Sequence, residues 1–130
     1  GLADGSTVFR RLRHVVTEMG RVDQAVIALA NNDTSHFAQL MTESGRSALD
    51  DYELDEGTPE LRFLLRQALH SPGILGVRNM GGGFSSVSLA LVRPESLEGV
   101  ISSLSTAYEA EFSGKLEFVE FTPSAGAGVV

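Results

Sequence analysis

Cysteine and tryptophan are both absent from this chain of 130 residues. Without cysteine there is no disulfide, no thiolate zinc site and no thiol nucleophile. Aromatic residues make up only 7% of the chain, and no run approaches the ~18 consecutive apolar residues of a membrane-spanning helix. Ten Lys and Arg stand against 17 Asp and Glu, which gives a net charge of −7. Because that sign disfavours polyanions, neither nucleic acid nor a membrane is expected as a partner.

The composition that remains is that of a folded protein. Hydrophobic residues are 42% and charged residues 21% of the chain, which is close to ordinary globular usage. The length fits a single domain over residues 1–130. The first residues lack the charged and apolar parts of a signal peptide, so a cytoplasmic location is expected. The first residue is Gly rather than Met, so we expect that a preceding segment has been removed.

Three helices are predicted in the first half of the chain. Apolar residues at spacings of three and four predict a helix from Val8 to about Ala30. A second helix is predicted to begin near Asp33 to Ser35 and to run toward Leu49, with Gly45 weakening its last turns. Thr58-Pro59-Glu60 is a typical helix start and predicts a third helix through Leu69. The apolar side of the first helix is expected to be buried; it consists of Val8, Leu12, Val15, Val16, Met19, Val22, Val26 and Leu29.

In the second half of the chain the spacing of the apolar residues changes from that of a helix to that of a strand. Residues 74–80 and the alternating residues 86–91 predict two strands joined by glycines. Pro94-Glu95-Ser96 predicts the start of a fourth helix that ends before Gly114, and Leu116 to Thr122 is predicted to be a last strand. The order α-α-α-β-β-α-β indicates an α+β domain whose helices cover one face of a small, mainly antiparallel sheet.

The glycine cluster Gly81-Gly82-Gly83 is the most informative local feature. It lacks the Lys and Ser/Thr of a P-loop and the third glycine and following helix of a dinucleotide fingerprint. A glycine turn between two strands can present several backbone N–H groups to an anion. A simple hairpin turn that needs positive φ remains an open alternative.

The other polar clusters do not match a known catalytic or metal-binding pattern. The histidines His14, His36 and His70 lack the spacing of a metal site, and no serine has the neighbours of an activated nucleophile. Two charged groups are interpreted as solvated surface: the acidic residues Asp51, Glu53 and Asp55, and the basic residues Arg10, Arg11 and Arg13.

Four segments in register resemble the C-terminal part of galactokinases, members of the GHMP superfamily of sugar and mevalonate kinases. Residues 10–22 resemble "RRARHVVxExxRV", and residues 37–61 resemble "FGxLMxESHxSLRDDYEVSxPELD". Residues 73–84 resemble the start of "GxxGARMTGGGFGGC", and residues 123–127 resemble "PSDGA". The resemblance implies a ferredoxin-like GHMP kinase C-terminal domain, in a longer protein whose N-terminal catalytic domain is absent here.

The resemblance also implies an activity for the longer protein: transfer of the ATP γ-phosphate to the anomeric hydroxyl of a sugar, assisted by Mg²⁺. Sugar and ATP would be bound through the missing N-terminal domain. This fragment would contribute the loop beside the phosphates, which is formed by Gly81, Gly82, Gly83, Phe84, Ser85 and Ser86. It would supply no catalytic residue, hold no metal or cofactor alone, and be inactive alone.

The chain departs from the family pattern in this loop. Ser85-Ser86 stands where the family has two glycines, and two Cβ atoms are added where the backbone should approach phosphate closely. The alternative interpretation is therefore a non-catalytic, kinase-derived module that binds a ligand or another protein. In the family at least one strand of the sheet precedes the Arg10 helix. An open sheet edge is therefore expected, and with it a homo-oligomer formed through that edge.

Overall fold

The computed structural model describes residues 5–82 and 86–129. Four α-helices and two β-strands follow one another as α-α-α-β-β-α, which confirms the predicted α+β class. A short 3₁₀ turn at Pro94–Ser96 leads into the last helix. The elements are α1 (Thr7–Ala30), α2 (Thr34–Asp50), α3 (Pro59–Leu69), β1 (Ile74–Asn79), β2 (Ser88–Val92) and α4 (Leu97–Phe112). No helix in the described part of the chain is long and apolar enough to cross a membrane.

Local signals fix the helix starts close to their predicted positions. The Ser6 hydroxyl accepts a hydrogen bond from the Phe9 N–H and begins α1. The Asp33 carboxylate accepts one from the His36 N–H and begins α2. Pro59 occupies the first turn of α3, where its missing N–H has no cost. Each start therefore depends on residues that are adjacent in sequence.

β1 and β2 form an antiparallel pair, with a bulge between Ile74 and Gly76. The Met80 N–H donates to the Val87 carbonyl at 2.8 Å, which closes the pair at the glycine loop. In this register the backbone groups of Val77 point away from β2. The Val77 N–H donates instead to the Thr42 hydroxyl of α2, at 3.2 Å. Helix α2 thus lies along the outer edge of β1.

Two glycines allow this close contact. A Cβ on Gly76 would stand 2.5 Å from the Ala38 carbonyl oxygen of α2. A Cβ on Gly45 would stand 2.9 Å from the Val77 carbonyl oxygen and from the Arg78 Cα. Gly45 therefore does not end α2, as its helix propensity would favour, because packing against β1 outweighs that propensity.

The apolar core lies between α2, α3 and β1. Its centre is formed by Leu49, Leu61, Leu65, Ala68 and Val77, all buried. On the other side of α3, Phe63 packs edge-to-face on Phe112 of α4, with ring centroids 5.2 Å apart. The contiguous stretch from α2 to β1 therefore supplies most of the burial in the described domain.

The expectation that the apolar side of α1 is buried is wrong for this chain. Ala28 is the buried residue of α1, whereas the large apolar side chains of the helix remain 47% to 66% exposed. The polar side of α1 faces the domain instead, through the contacts described below. The periodicity correctly predicts a helix with an apolar face, but in the described structure that face is left largely exposed. The exposed residues are Val8, Leu12, Val15, Val16, Met19, Val22, Val26, Ile27 and Leu29.

The last predicted strand does not form. Residues 115–129 have no regular secondary structure, and the described sheet contains two strands. A strand needs a neighbour for its backbone hydrogen bonds. Helix α2 occupies the outer edge of β1, so an additional strand in this sheet can pair only with β2. Leu116 to Thr122 does not pair there.

Candidate functional site: the glycine loop and the adjoining cavity

The glycine loop joins β1 to β2, as predicted. Gly81 and Gly82 are exposed, and Ser86 at the other end of the loop is exposed as well. Gly83, Phe84 and Ser85, which the sequence analysis assigned to the same loop, lie outside the described residues. The described part of the candidate site is therefore its two ends.

Asn79, the last residue of β1, anchors the loop. It is only 4% exposed, and its side-chain amide donates a hydrogen bond to the Gly81 carbonyl oxygen at 2.9 Å. This bond turns one carbonyl of the loop toward the protein. Carbonyl oxygens repel phosphate oxygens, so the bond makes the exposed side of the loop more favourable for an anion. The Asn79 Oδ1 is buried and has no hydrogen-bond partner among the described residues.

The backbone at both ends of the loop lies in the left-handed region. Gly81 has φ +64°, and no atom of the described residues lies within 4 Å of the position that a Cβ would occupy. Ser86 has φ +53°, a conformation that glycine adopts without strain and serine does not. The serine therefore stands at a position whose backbone favours the glycine of the family motif.

The loop can contribute N–H donors and close backbone approach, and it has no group suited to acid–base chemistry. No three His, Asp or Glu side chains are grouped as a metal site within the described ranges. Exposed backbone N–H groups of a glycine-rich turn are suited to an anion such as phosphate, whereas a divalent cation would need oxygen ligands that the described residues do not group here.

A second polar cluster, missed in the sequence analysis, joins α1, α2 and β1 around Glu18. The Glu18 carboxylate accepts hydrogen bonds from Ser44 at 2.5 Å, from Arg21 at 2.8 Å and from Arg78 at 3.3 Å. Arg78 also donates to the Asn79 carbonyl oxygen at 2.9 Å, which links the cluster to the base of the glycine loop. All four residues of the cluster lie in segments that resemble the family motifs, and this resemblance is the sequence signal that could have pointed to them.

Glu18 is ionised in this setting. Burial acts to raise its pKa, but the hydrogen bonds from Ser44 and Arg21 and the charges of Arg21 and Arg78 outweigh burial. The pKa of Glu18 therefore lies below its ordinary value. Within the described part of the chain, the buried Arg21 Nη2 has no hydrogen-bond partner.

A cavity of about 360 Å³ adjoins the Glu18 cluster. Val22 of α1 and Met41 of α2 form part of its wall, and Leu89 and Leu91 of β2 form another part. Phe121 of the C-terminal segment lies at the cavity as well. Its wall is largely apolar, with charge confined to the end at Glu18.

The interpretation of Arg10, Arg11 and Arg13 as a solvated helix face is wrong. Arg10 and Arg11 both bind the Glu53 carboxylate, at 2.6 and 2.8 Å, and Arg13 binds that of Asp51. Arg11 also lies over the Tyr52 ring, 5.1 Å from its centroid. These partners are about 40 residues away in sequence, so the helical pattern alone could not reveal them.

The acidic loop is likewise ion-paired rather than freely solvated. Hydrogen bonds from Arg13 lower the pKa of Asp51, and those from Arg11 and Arg10 lower the pKa of Glu53. Arg62 binds Asp55 at 2.5 Å and Asp50 at 2.7 Å. The carboxylates of this segment therefore form salt bridges to α1 and α3.

His14, Ser44 and Ser47 have structural contacts. The His14 Nδ1 lies 2.9 Å from the Ser47 hydroxyl, and its ring packs on Tyr52. Burial lowers the pKa of His14. Ser47 donates to Asp51 and Ser44 to Glu18. Both carboxylates are also bound by arginines and have a lowered pKa, which makes them weak bases for activating a serine.

Comparison with known proteins identifies the family of the chain. The family model "GHMP kinases C terminal" matches residues 25–110, which includes α2, α3, both strands and most of α4. The chain belongs to the GHMP kinase C-terminal family. Asn79 and the described ends of the glycine loop lie within the matched residues, as do Ser44 and Arg78 of the Glu18 cluster, whereas Glu18 and Arg21 precede them.

Individual relatives are galactokinases. The chain is 38% identical to galactokinase of Canis lupus familiaris over 94% of its own length, and 36% identical to that of Streptomyces coelicolor over 97%. The crystal structure of Lactococcus lactis galactokinase complexed with galactose superposes with a TM-score of 0.73 at 29% identity, covering 85% of this chain. This GHMP domain therefore resembles the C-terminal domain of galactokinases in sequence and in structure.

The chain spans about a third of these relatives. It covers 30% of the canine galactokinase, 32% of the Streptomyces enzyme and 28% of the Lactococcus structure. These relatives are therefore about three times as long as the chain.

Proposed function

We propose that this chain forms the C-terminal part of an ATP-dependent sugar kinase that transfers the γ-phosphate of ATP to the anomeric hydroxyl of a sugar. The family match and the galactokinase relatives support a kinase parent. The observation that carries the proposal is the exposed glycine turn whose Gly81 carbonyl is drawn inward by the buried Asn79. On this proposal the Gly81–Ser86 loop lies beside the phosphates.

Phosphoryl transfer depends mainly on positioning and on stabilising charge. A loop with exposed backbone N–H groups supplies both without moving a proton. Asn79 fixes the direction of the first peptide groups, and the hydrogen bond from the Met80 N–H to the Val87 carbonyl fixes the base of the loop. The contribution of this domain is to hold the phosphates in place.

ATP and Mg²⁺ are the cofactors of the proposed parent. Bound Mg²⁺ would neutralise the charge that develops on the transferred phosphoryl group. The described residues supply no cluster of carboxylates or imidazoles for it, so its ligands and the sugar site would come from the rest of the kinase. On this reasoning the chain alone binds neither sugar nor metal and has no kinase activity.

One observation favours a second candidate, a kinase-derived module that binds a ligand or protein without catalysis. Ser86 holds the left-handed backbone conformation expected of glycine but adds a side chain to the loop. A side chain here reduces the space between backbone and phosphate. Restoring glycine distinguishes the two candidates, since it should change phosphate contact in a kinase and matter little in a module that no longer binds phosphate.

The test uses the full-length kinase that carries this domain. ATP consumption is measured with galactose, other hexoses and small alcohols, for the unchanged enzyme, Asn79→Ala and Ser86→Gly. Asn31→Ala is the matched control, because it makes the same side-chain change at an exposed position at the end of α1. We expect turnover with one sugar, a loss of about 100-fold in kcat for Asn79→Ala and none for the control.

Two results would contradict the proposal in different ways. Absence of turnover on every sugar, with ligand binding retained, would favour the non-catalytic module. Normal turnover in a folded Asn79→Ala enzyme would leave the kinase activity in place and remove the role of the anchored loop.

A further inference from the structure

The peptide that joins Asn79 to Met80 is where β1 ends and the glycine loop begins. Its N–H donates to the Val87 carbonyl oxygen, on the returning side of the loop, at 2.8 Å. Its carbonyl points the other way, because the C=O and N–H of a trans peptide are opposed. That carbonyl oxygen accepts a hydrogen bond from the Arg78 Nε at 2.9 Å. The peptide is therefore held on both sides, and Arg78 supplies one of the two bonds.

The direction of the next peptides depends on this one. The Asn79 side chain donates to the Gly81 carbonyl oxygen at 2.9 Å and so directs that carbonyl inward. The Gly82 N–H belongs to the same peptide and is directed to the exposed side of the loop, where an N–H can donate to an anion. The Asn79 side chain reaches Gly81 only from a fixed backbone, and Arg78 helps to fix that backbone.

Arg78 is itself held by two helices. Its Nη1 lies 3.3 Å from the Glu18 carboxylate of α1, and Glu18 is oriented in turn by Ser44 of α2 at 2.5 Å and by Arg21 at 2.8 Å. The backbone of Arg78 lies directly against α2, since a Cβ on Gly45 would stand 2.9 Å from the Arg78 Cα. One guanidinium group thus connects the helices to the base of the glycine loop.

Both bonds of this connection require an arginine. A guanidinium carries several N–H donors in one rigid plane, so its Nε and Nη1 can serve two acceptors at different positions. A lysine has a single nitrogen at the end of a flexible chain. The ionised Glu18 carboxylate attracts that nitrogen more strongly than the neutral Asn79 carbonyl does. Lysine at this position therefore keeps the ion pair and loses the bond to the loop.

We propose that Arg78 is a positioning residue that fixes the glycine loop from the helices, through Glu18 on one side and the Asn79 carbonyl on the other. Its role is to keep the Gly82 N–H directed outward. The consequence for ATP rests on the proposed function, in which this loop lies beside the phosphates. Hydrogen exchange tests the hold on the loop, and ligand binding tests its consequence, so the two can fail separately.

The first measurement is hydrogen exchange in the full-length kinase that carries this domain and in its Arg78→Lys variant. Mass spectrometry with fragmentation to single residues follows individual amides. We expect the Met80 amide to exchange about tenfold faster in the variant, because one of the two bonds to its peptide is lost. The Val77 amide, which is held by the Thr42 hydroxyl, should exchange at the same rate in both proteins.

The second measurement compares ATP with adenosine, which has no phosphate. Calorimetric titration of the same two proteins gives a dissociation constant for each ligand. We expect ATP to bind about tenfold more weakly to Arg78→Lys and adenosine to bind equally well. The KM for ATP should rise by a similar factor while the KM for the sugar stays the same. A variant that merely contains less folded protein would change none of these constants.

Three further variants make the result specific. Glu18→Gln removes the charge that holds the guanidinium, so it should act in the same direction, and it replaces Arg78→Lys if that variant does not fold. Arg66→Lys is the matched control, because it makes the same substitution at an exposed position of α3. Leu65→Ala removes a buried side chain from the apolar core and lowers stability by about 2–5 kcal/mol. Both Arg66→Lys and Leu65→Ala should leave the dissociation constant for ATP unchanged.

Three outcomes would overturn the proposal. One is equal exchange of the Met80 amide in Arg78→Lys and in the unchanged kinase. Another is an equal loss of affinity for ATP and adenosine, and the third is a loss of ATP affinity as large in Leu65→Ala as in Arg78→Lys. If the unchanged kinase neither binds ATP nor turns over a sugar, the proposed function fails. The exchange of the Met80 amide alone then decides whether Arg78 positions the loop.

Discussion

Replacing Gly76 with alanine is expected to disrupt the contact between α2 and β1. The new Cβ would lie 2.5 Å from the Ala38 carbonyl oxygen and 2.9 Å from the Ala38 Cα. Both are backbone atoms, so a side-chain rotation cannot relieve the overlap and the helix must move away from the strand. Overpacking of this kind costs about 1–3 kcal/mol.

The same movement stretches the hydrogen bond from the Val77 N–H to the Thr42 hydroxyl. The bond is already 3.2 Å long, and its loss leaves a buried N–H without a partner, at a cost of about 1 kcal/mol or more. Together these effects predict that Gly76→Ala lowers the free energy of unfolding by about 3 kcal/mol.

Gly99→Ala is the matched control. Gly99 lies in α4, and no atom approaches within 4 Å of its Cβ position. Alanine is the better helix former, so this substitution should raise the free energy of unfolding by about 0.5–1 kcal/mol. The same chemical change thus has opposite signs at the two positions.

Urea unfolding followed by circular dichroism measures both differences. The packing argument fails if Gly76→Ala changes the free energy of unfolding by less than about 0.5 kcal/mol. It also fails if the two variants shift in the same direction. A crystal structure of a folded Gly76→Ala variant should show α2 displaced from β1.

Three further predictions concern the cluster and the left-handed residues. Glu18→Gln should lower the free energy of unfolding by about 2–4 kcal/mol near neutral pH, because Arg21 and Arg78 lose the carboxylate that they face; urea unfolding measures this. The pKa of Glu18 in the folded protein lies below its ordinary value of 4.5. Its contribution to stability is therefore present above pH 4.5 and is lost as the pH falls through the folded pKa. A difference in the free energy of unfolding between wild type and variant that stays unchanged down to about pH 3 would contradict the assignment. Ser86→Gly and Ser113→Gly should each raise the melting temperature, because both serines have a left-handed backbone conformation. Glycine relieves that strain, which amounts to about 1 kcal/mol. A lower melting temperature for both variants would argue against strain.

The helices could be predicted because their signals are local. The start of α2 depends on Asp33 and His36, which are three residues apart, and the apolar period of α1 is visible in its own sequence. The turn between β1 and β2 is equally local, because glycine supplies the positive φ at Gly81. These signals need no knowledge of the rest of the fold.

The predictions that were wrong all concern contacts with residues that lie far away in the sequence. Leu116 to Thr122 has the composition of a strand, but a strand forms only when its backbone groups pair with a neighbour, and this segment pairs with neither strand of the described sheet. The arginines of α1 looked solvated because their carboxylates, Asp51 and Glu53, are separated from them by about 40 residues. The burial of the apolar side of α1 was predicted from its pattern, yet burial also needs a neighbour to pack on that side.

The sequence predicted the glycine loop of the candidate site but not the residues that hold it in place. The glycine loop is visible as a run of glycines, whereas the role of Asn79 depends on its burial at the end of β1. The Glu18 cluster joins residues 26 and 60 positions apart. Motif resemblance marked these residues without showing that they meet.

The attachment of α1 by its polar side makes this helix sensitive to ionic strength. Its contacts with the acidic loop are charged pairs with exposed edges, such as that of Arg10 with Glu53, and dissolved salt screens such pairs. The core around Leu49 and Val77 contains no charge, and its apolar contacts do not weaken in salt. Concentrated salt should therefore loosen α1 while α2, α3 and β1 stay folded, and a chain that covers the apolar side of α1 would remove this sensitivity.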